Sequence, residues 1–393
     1  MGIIFLLLSL LCAEYTVVTV AGTGSSGYTC NQFTQPMGVF SGENGDLYVL
    51  DTYNNLIRRI DSSGEIHRVA GDTLMRDEAG FQQGFFRDGD SALFNRPTSA
   101  VRASDGRIFI ADRSNHAIRV IYDGYVFTFA GGNGAGYENG TDAMFFYPSA
   151  LALSADGNIY VADTGNNVIR RIDTFGYVTT VAGIAGESGY CNDSALFNHP
   201  MGIAVSEDGI IFVADSGNHL IRFINDDRVG TLAGFYQRPE DAENTWEYQP
   251  TGGFANGYDA MFNLPAGLAL RNEYLIVADS ANHAIRAIHL PTAEVFTIAG
   301  EYPGYADGVL NEARFHFPHD VYVSGDALII ADTGNNMVRK ITLEMRIKPL
   351  IRVTEECYEE AICTVSEPVR SVKFGRCYRT CRLHRKPSYF GAN

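Results

Sequence analysis

The stretch Val161-Ala-Asp-Thr-Gly-Asn-Asn-Val-Ile-Arg170 is one of six closely similar copies along the chain. In each copy an Asp precedes an Arg by seven residues, and an Asn lies three residues after the Asp. The six pairs are Asp51 and Arg58, Asp112 and Arg119, Asp163 and Arg170, Asp215 and Arg222, Asp279 and Arg286, and Asp332 and Arg339. Successive Asp residues are 61, 51, 52, 64 and 53 positions apart. A repeat of this length indicates a solenoid or a propeller rather than a series of independent domains.

Each unit divides into four short apolar runs separated by turn-forming residues. In the third unit the runs are 149–153, 158–162, 168–173 and 177–182, rich in Val, Ile, Leu and Tyr. Runs that are apolar on both faces are typical of strands packed between neighbouring sheets. The sequence therefore predicts an all-β, six-bladed β-propeller. The run from Tyr15 to Gly22 precedes the first complete unit and is expected to supply the missing outer strand of the sixth blade, which closes the ring.

Two of the copies, Val161 to Arg170 and Val213 to Arg222, resemble NHL repeats, as does the connecting stretch from Asp193 to Pro200. The resemblance covers about residues 15 to 341. It implies a six-bladed fold but no single activity, because NHL-like propellers include RNA readers, extracellular interaction modules, sensor domains and some lyases.

Composition narrows these classes. The chain has 393 residues, of which 30 are Lys or Arg and 46 are Asp or Glu, giving a formal net charge of −16. Nucleic-acid binding draws on clustered basic residues, so this balance argues against a nucleic-acid partner.

The two ends of the chain differ from the repeats. Residues 1–13 contain the apolar run Ile3 to Leu11, too short to span a bilayer, and are predicted to be a signal peptide. A buried N-terminal strand is the alternative. Residues 14–341 form the propeller, and residues 342–393 form a tail with ten Lys and Arg against six Glu. No other segment reaches transmembrane length, so we predict a secreted or extracellular protein with no membrane span.

Cysteines and glycosylation sequons agree with that compartment. The candidate disulfide cysteines are Cys30, Cys191, Cys357, Cys363, Cys377 and Cys381, for which fifteen pairings are open. Asn139 and Asn192 each begin an Asn-X-Ser/Thr triplet and are candidate glycosylation sites in a glycoprotein.

The repeated Asp–Arg pairs are predicted to be structural, because a six-fold feature serves the blade and chemistry usually occurs once per site. The Asp is expected to end the second strand and accept backbone N–H bonds in the turn, and the Arg to form a two-point pair with a carboxylate. Asn115 and Asn166 are expected to be left-handed or bonded through their side chains. Positive φ is expected at Gly165, Gly217 and Gly334. A shared scaffold role is expected for His116, His219 and His283.

Candidate functional residues lie where the repeats disagree. In each unit a Pro ends the connection into the first strand, and its neighbours are expected to ring one mouth of the central channel. The residues before the Pro are Gln35, Arg96, Tyr147, His199, Leu264 and Phe317, and those after it are Met37, Thr98, Ser149, Met201, Ala266 and His319. Asp320 stands where the other units have a small residue. Together His199, His319, Asp320 and Arg96 are candidates for holding an anionic group or one zinc or calcium ion, and a solvated rim of unrelated polar residues is the alternative.

Two enlarged connections carry aromatic residues. The connection from Gly71 to Pro97 and the one from Gly234 to Pro265 are expected to bind a partner or to fold back on the propeller. The candidate binding residues are Phe85, Phe86, Tyr147, Tyr236, Trp246 and Tyr248. The hypothesis favoured by the sequence is an extracellular module that binds protein or glycan without a cofactor. The alternative is a lyase or hydrolase centred on the channel, with or without a metal.

Overall fold

A computed structural model describes residues 10–29, 31–72, 84–192, 194–226, 228–237, 249–250, 252–310 and 312–348. Six antiparallel sheets follow one another along the chain. The first five blades are β2 to β5 (Gly38–Ser41, Leu47–Asp51, Leu56–Ile60, Ile66–Ala70), β6 to β9 (Pro97–Arg102, Ile108–Asp112, Ala117–Tyr122, Tyr125–Gly131), β10 to β13 (Pro148–Leu153, Ile159–Asp163, Val168–Ile172, Val178–Ala182), β14 to β17 (Pro200–Val205, Ile211–Asp215, Leu220–Asn225, Arg228–Ala233) and β20 to β23 (Pro265–Arg271, Tyr274–Asp279, Ala284–His289, Glu294–Gly300). The predicted six-bladed β-propeller is confirmed.

The sixth blade is assembled from both ends of the ring. It contains β25 (Pro318–Ser324), β26 (Ala327–Asp332), β27 (Met337–Lys348) and, outermost, β1 (Leu10–Ala21) beside β27. The short strand β24 (Gly308–Val309) pairs with the free side of β1, with Thr16 opposite Val309. The predicted closure by the N-terminal strand is therefore present. Val17 of β1 is completely buried in the core of the last blade, so closure also buries apolar surface.

The apolar core lies between successive blades. Six clusters of buried residues occupy the six interfaces, including the one between blades six and one. Each connection contributes one fully buried Phe, three residues before its Pro: Phe33, Phe94, Phe145, Phe197, Phe262 and Phe315. This repeated Phe explains why blades with different inner residues still pack alike.

A 3-10 turn follows the second strand of every blade. The turns are Thr52–Asn54, Arg113–Asn115, Thr164–Asn166, Ser216–Asn218, Ser280–Asn282 and Thr333–Asn335, and Glu43–Gly45 forms a separate one. The residue after each of the six turns is left-handed: Asn55, His116, Asn167, His219, His283 and Asn336. The prediction of positive φ at Gly165, Gly217 and Gly334 was wrong. Their backbone is not left-handed, and a Cβ on Gly165 would lie 2.5 Å from the carbonyl oxygen of Phe146, so close packing explains that glycine.

Other predictions concern the two ends of the chain, the cysteines and the second long connection. Residues 1–9 of the predicted signal peptide, residues 349–393 and five of the six candidate disulfide cysteines lie outside the described residues. The sixth candidate, Cys191, is described. It is a free thiol within the described residues, and its Sγ accepts the Ser194 backbone N–H at 3.4 Å. Two additional strands, β18 (Tyr236–Gln237) and β19 (Gln249–Pro250), pair at the base of the second long connection. No helix within the described part of the chain has the length and apolar character needed to cross a membrane.

Candidate functional site at the channel mouth

The six repeated Asp–Arg pairs form a buried network under the mouth of the central channel. Each Arg Nη1 donates to Oδ2 of the Asp seven residues earlier, at 3.3, 2.7, 2.9, 3.0, 2.7 and 2.8 Å in blades one to six. The same oxygen accepts the Nδ2 of the following Asn, such as Asn115 or Asn166. The other oxygen, Oδ1, accepts a backbone N–H from the connection into the first strand, for example that of Phe146 on Asp163 at 2.8 Å. The Asp thus joins the second strand, the third strand and the incoming connection.

In blades two to six the Nη2 of each Arg is also occupied, whereas the Nε of Arg170 and of Arg286 has no hydrogen-bond partner within the described residues. Arg119 and Arg339 use Nε and Nη2 on a single oxygen of Asp88 and Asp307, respectively. An asparagine takes the equivalent place beside the other three arginines, namely Asn139, Asn192 and Asn256. Both predicted glycosylation asparagines therefore belong to the repeat through Oδ1, although both are exposed. Glycosylation at them stays a prediction.

Aromatic rings cover both faces of the same arginines. The buried Phe of each connection lies 5.1 to 5.4 Å from the guanidinium carbon of its blade. A second ring lies on the other face at 4.5 to 4.9 Å in blades two to six: Phe86, Tyr137, Tyr190, Phe254 and Tyr305. Phe86, a candidate binding residue, is thus the blade-two member of a repeated stack.

These pairs offer no place for a substrate. Burial raises the pKa of Asp51, Asp112, Asp163, Asp215 and Asp279 to about 6, while the guanidinium, amide and backbone donors lower it. Both oxygens of every repeated Asp already accept hydrogen bonds inside the blade. The arrangement holds strands together and leaves no free donor or acceptor directed to solvent.

The residues before the six prolines form the exposed rim of the mouth. All six have positive φ, from 46° at Gln35 to 54° at Tyr147. A residue before Pro ordinarily prefers extended backbone, so this conformation is strained. The neighbouring blade holds it: each rim N–H donates to the side chain that follows the preceding blade's turn, namely Asn336, Asn55, His116, Asn167, His219 and His283.

The three histidines accept these bonds through Nδ1 and are therefore neutral at that nitrogen. Burial lowers the pKa of His116, His219 and His283, which keeps the acceptor available at neutral pH. Asparagine performs the same task in the other three blades. The backbone of the rim is thus constant while its side chains differ.

Inside the rim, the first strands of the blades line a channel cavity of about 400 Å³. Most of the lining residues have apolar side chains, and the polar ones include Thr98, Ser149, His319 and Asp320. His199 and Arg96 do not line it; both are exposed on the rim. Arg96 lies over the ring of Tyr53 at 4.8 Å, and His199 Nδ1 bonds its neighbour Asn198 at 2.8 Å.

His319 has an unsatisfied ring nitrogen. Its Nδ1 lies 3.1 Å from the carbonyl oxygen of Met37, and because a carbonyl only accepts, Nδ1 donates. The side chain is only 9 % exposed, and its Nε2 has no hydrogen-bond partner among the described residues. Burial lowers the pKa of His319 to about 4. The ring is therefore neutral near pH 7 and presents a bare acceptor.

Asp320 links the last blade to the first. Its Oδ2 accepts the Val39 N–H at 3.0 Å, and its Oδ1 accepts the Val321 N–H at 2.9 Å. Ser99 makes the equivalent bond between blades two and three by accepting the Leu151 N–H at 3.1 Å. Burial raises the pKa of Asp320 to about 7, because no cation pairs with it.

Space explains why small residues occupy this position in the other blades. A Cβ on Gly267 would lie 2.6 Å from the Cα of Asp320, because the first strands of neighbouring blades approach closely.

The predicted metal centre is not assembled. Within the described residues, His199, His319 and Asp320 do not bring three ligand atoms within 4.8 Å of one another. The group that does so, Asp61, Glu65 and His67, lies away from the channel lining, with Glu65 exposed and the other two half-buried. A metal-dependent lyase or hydrolase in the channel therefore gains no support from the geometry.

Sequence reasoning missed Arg113. The other five blades have Thr or Ser at this first position of the turn, and in four of them the hydroxyl donates to the carbonyl of the next blade's Pro: Thr52 to Pro97, Thr164 to Pro200, Ser216 to Pro265 and Thr333 to Pro36. Arg113 instead lies over the Tyr147 ring at 4.9 Å, with Nε 3.3 Å from Ser149 Oγ. The break in the Asp-Thr/Ser pattern was visible in the sequence.

The long connections are only partly described. Phe85 is 40 % exposed, and its carbonyl oxygen accepts the Asn115 side chain at 2.8 Å. Trp246 and Tyr248 lie outside the described residues. For Tyr236 the structure describes only the backbone, which pairs with Pro250. Their binding roles remain predictions.

Comparison with known proteins agrees with the repeat pattern of the sequence and with the propeller fold. A sequence family described as NHL repeat matches residues 94–121 and 197–222. The chain is an NHL-repeat β-propeller. The propeller is similar to protein SUPPRESSOR OF QUENCHING 1, chloroplastic, of Arabidopsis thaliana (30 % identity over 285 residues, covering 68 % of this chain and 26 % of that protein). It is also similar to NHL repeat-containing protein 2 of Bos taurus (28 % over 304 residues, covering 67 % and 40 %). The chain thus spans less than half of either relative.

A solved structure shows the same fold. The propeller superposes on an auxiliary nutrient binding protein from Bacteroides ovatus with a TM-score of 0.60 and 17 % identity, covering 85 % of this chain and 78 % of that one. At this identity the likeness concerns the fold alone.

Proposed function

We propose that this NHL propeller is an extracellular protein-interaction module that binds its partner at the channel mouth. The observation that carries the proposal is the rim: six residues held in one strained backbone conformation display six different side chains. Among them Leu264 and Phe317 are each 44 % exposed, and Arg96 is exposed as well. Strain retained at an exposed position is typical of functional surfaces. Aromatic residues and Arg are enriched at protein interfaces, which favours a protein over a glycan partner.

The test compares apolar positions at the two ends of the propeller. Leu264→Ser with Phe317→Ser removes two rim anchors. The control is Phe175→Ser, because Phe175 is 92 % exposed in the turn between β12 and β13, at the end opposite the rim. The full chain and both variants are used as bait in chemical cross-linking from the organism's own extracellular fluid. We expect the rim variant to lose the partner by tenfold or more and the control to keep it. Equal retention by all three would refute rim binding.

The extracellular location is tested separately. A full-length tagged chain expressed in eukaryotic cells should accumulate in the medium, with its N-terminus near Glu14 after signal removal. Retention in the cytosol with Met1 intact would contradict the proposed compartment. The formal charge of −16 also leads us to expect no nucleic-acid retention at physiological salt.

A further inference from the structure

The mouth contains a cationic pair that belongs to no ion pair. Arg96 and Arg113 lie over the rings of Tyr53 and Tyr147, at 4.8 and 4.9 Å from the ring centroids. No carboxylate of the described residues lies within 4.0 Å of either guanidinium, in contrast to the six blade arginines. Because the chain has a net charge of −16, a local cluster of two cations without a carboxylate differs from its overall acidic character.

Electrostatics agree with a short distance between the two guanidinium groups. Burial and the charge of Arg96 lower the pKa of Arg113, and burial and the charge of Arg113 lower the pKa of His319. Backbone contacts place the two arginines side by side, because Asn95 accepts the Ser114 N–H at 2.9 Å and donates its own N–H to Asp112 Oδ1 at 2.7 Å. Arg113 also reaches Ser149, which lines the channel.

Placing an arginine at position 113 costs the fold a contact. Thr or Ser at this position donates to the next blade's Pro carbonyl in four blades, whereas Arg113 leaves the Pro148 carbonyl without that donor. His319 likewise replaces Met, Thr, Ser or Ala and leaves Nε2 buried without a partner. Each of these departures from the repeat is unfavourable for stability, so neither is explained by the needs of the fold.

We propose that Arg96 and Arg113 form a carboxylate-binding site that takes an acidic residue of a protein partner. The guanidinium groups supply donors for the carboxylate, and their aromatic supports hold them in place. This inference rests on the proposed function, since it names the chemistry by which the rim selects its partner.

The probe is a fluorescein-labelled, N-acetylated tetraglutamate peptide, and its matched control is tetraglutamine. Dissociation constants are measured by fluorescence anisotropy with the full chain at fixed ionic strength. Arg113→Thr should weaken tetraglutamate binding tenfold or more, and Arg96→Gln, which installs the residue of blade one, should weaken it several-fold. The charge-matched control is Arg228→Thr, because Arg228 is exposed on β17 and has no partner within the described residues. It should change binding less than twofold.

A stability measurement separates binding from folding. Arg113→Thr should unfold at the same or a higher urea concentration than the unaltered chain, since Thr can donate to the Pro148 carbonyl. Equal tetraglutamate binding by Arg113→Thr and the unaltered chain would overturn the site, as would an equal loss in Arg228→Thr. Displacement of the peptide by inorganic phosphate at lower concentration than by free glutamate would overturn the choice of carboxylate. If the Leu264 and Phe317 variant loses its partner while Arg113→Thr keeps it, the site fails and the module stands.

Discussion

Asp320→Asn should change stability in a way that depends on pH. The folded protein holds this carboxyl with a pKa of about 7, against an ordinary value of 3.8. A folded pKa above the unfolded one means that the favourable contribution is fully present below pH 3.8 and is lost as pH rises through 7. The difference corresponds to roughly 4 kcal/mol at full ionisation. Asp320 is partly exposed to the channel, so this figure is an upper bound.

Two effects of the substitution have different pH dependence. Asn keeps one acceptor oxygen where Asp uses two, for Val39 and Val321, so one bond is lost at about 1 kcal/mol at every pH. Relief from burying an ionised carboxyl grows between pH 5 and pH 8 by roughly 2 to 3 kcal/mol at most. The variant should therefore gain stability relative to the unaltered chain, by roughly 2 to 3 kcal/mol at most, as the pH rises from 5 to 8.

Urea unfolding at pH 5 and pH 8, followed by intrinsic fluorescence, measures the gap between the two proteins. Ser99→Ala is the matched control, because it removes the equivalent inter-blade acceptor for Leu151 without removing a titrating group. Its gap to the unaltered chain should be the same at both pH values. A gap for Asp320→Asn that does not change with pH would refute the buried-carboxyl argument.

Three further predictions concern the scaffold, and urea unfolding checks each of them. Arg170→Met should destabilise the propeller by about 3 to 5 kcal/mol, because it leaves the carboxylate of Asp163 buried without its cation; a loss under 1 kcal/mol would contradict this. His116→Asn should be nearly neutral and His116→Ala should cost about 1 kcal/mol, since only the former keeps an acceptor for the rim N–H; equal effects would show that the bond is dispensable. Val17→Asp should cost more than about 3 kcal/mol by placing a charge in the seam that closes the ring, and native-like stability would mean that closure does not depend on β1.

Much of the blade was predictable because its determinants are local. The Asp, Asn and Arg of one unit lie within eight residues of one another, and their spacing fixes which side chains meet across the second and third strands. The expectation of left-handed or side-chain-bonded asparagines in the turn was met, whereas that of positive φ at Gly165, Gly217 and Gly334 was not. Asn115 and Asn166 are bonded through their side chains, whereas the left-handed residue is the next one, His116 or Asn167, because that side chain must reach the neighbouring blade's N–H.

The candidate site was less predictable because it joins different blades. The rim was expected to gather His199, His319 and Asp320, yet His199 faces solvent while the other two line the channel. One residue along a strand changes the direction of a side chain, and a list of aligned positions does not contain that direction.

The sequence by itself determined the number of blades, the closing strand and the buried pairs, since a repeated pattern of short range leaves few alternatives. Only the tertiary structure decided which single residues meet at the mouth. Arg113 comes from a turn in blade two and His319 from a strand in blade six, 206 positions apart in the chain. Their proximity follows from ring closure, which brings the first strands of all blades around one axis, and no local pattern encodes that distance.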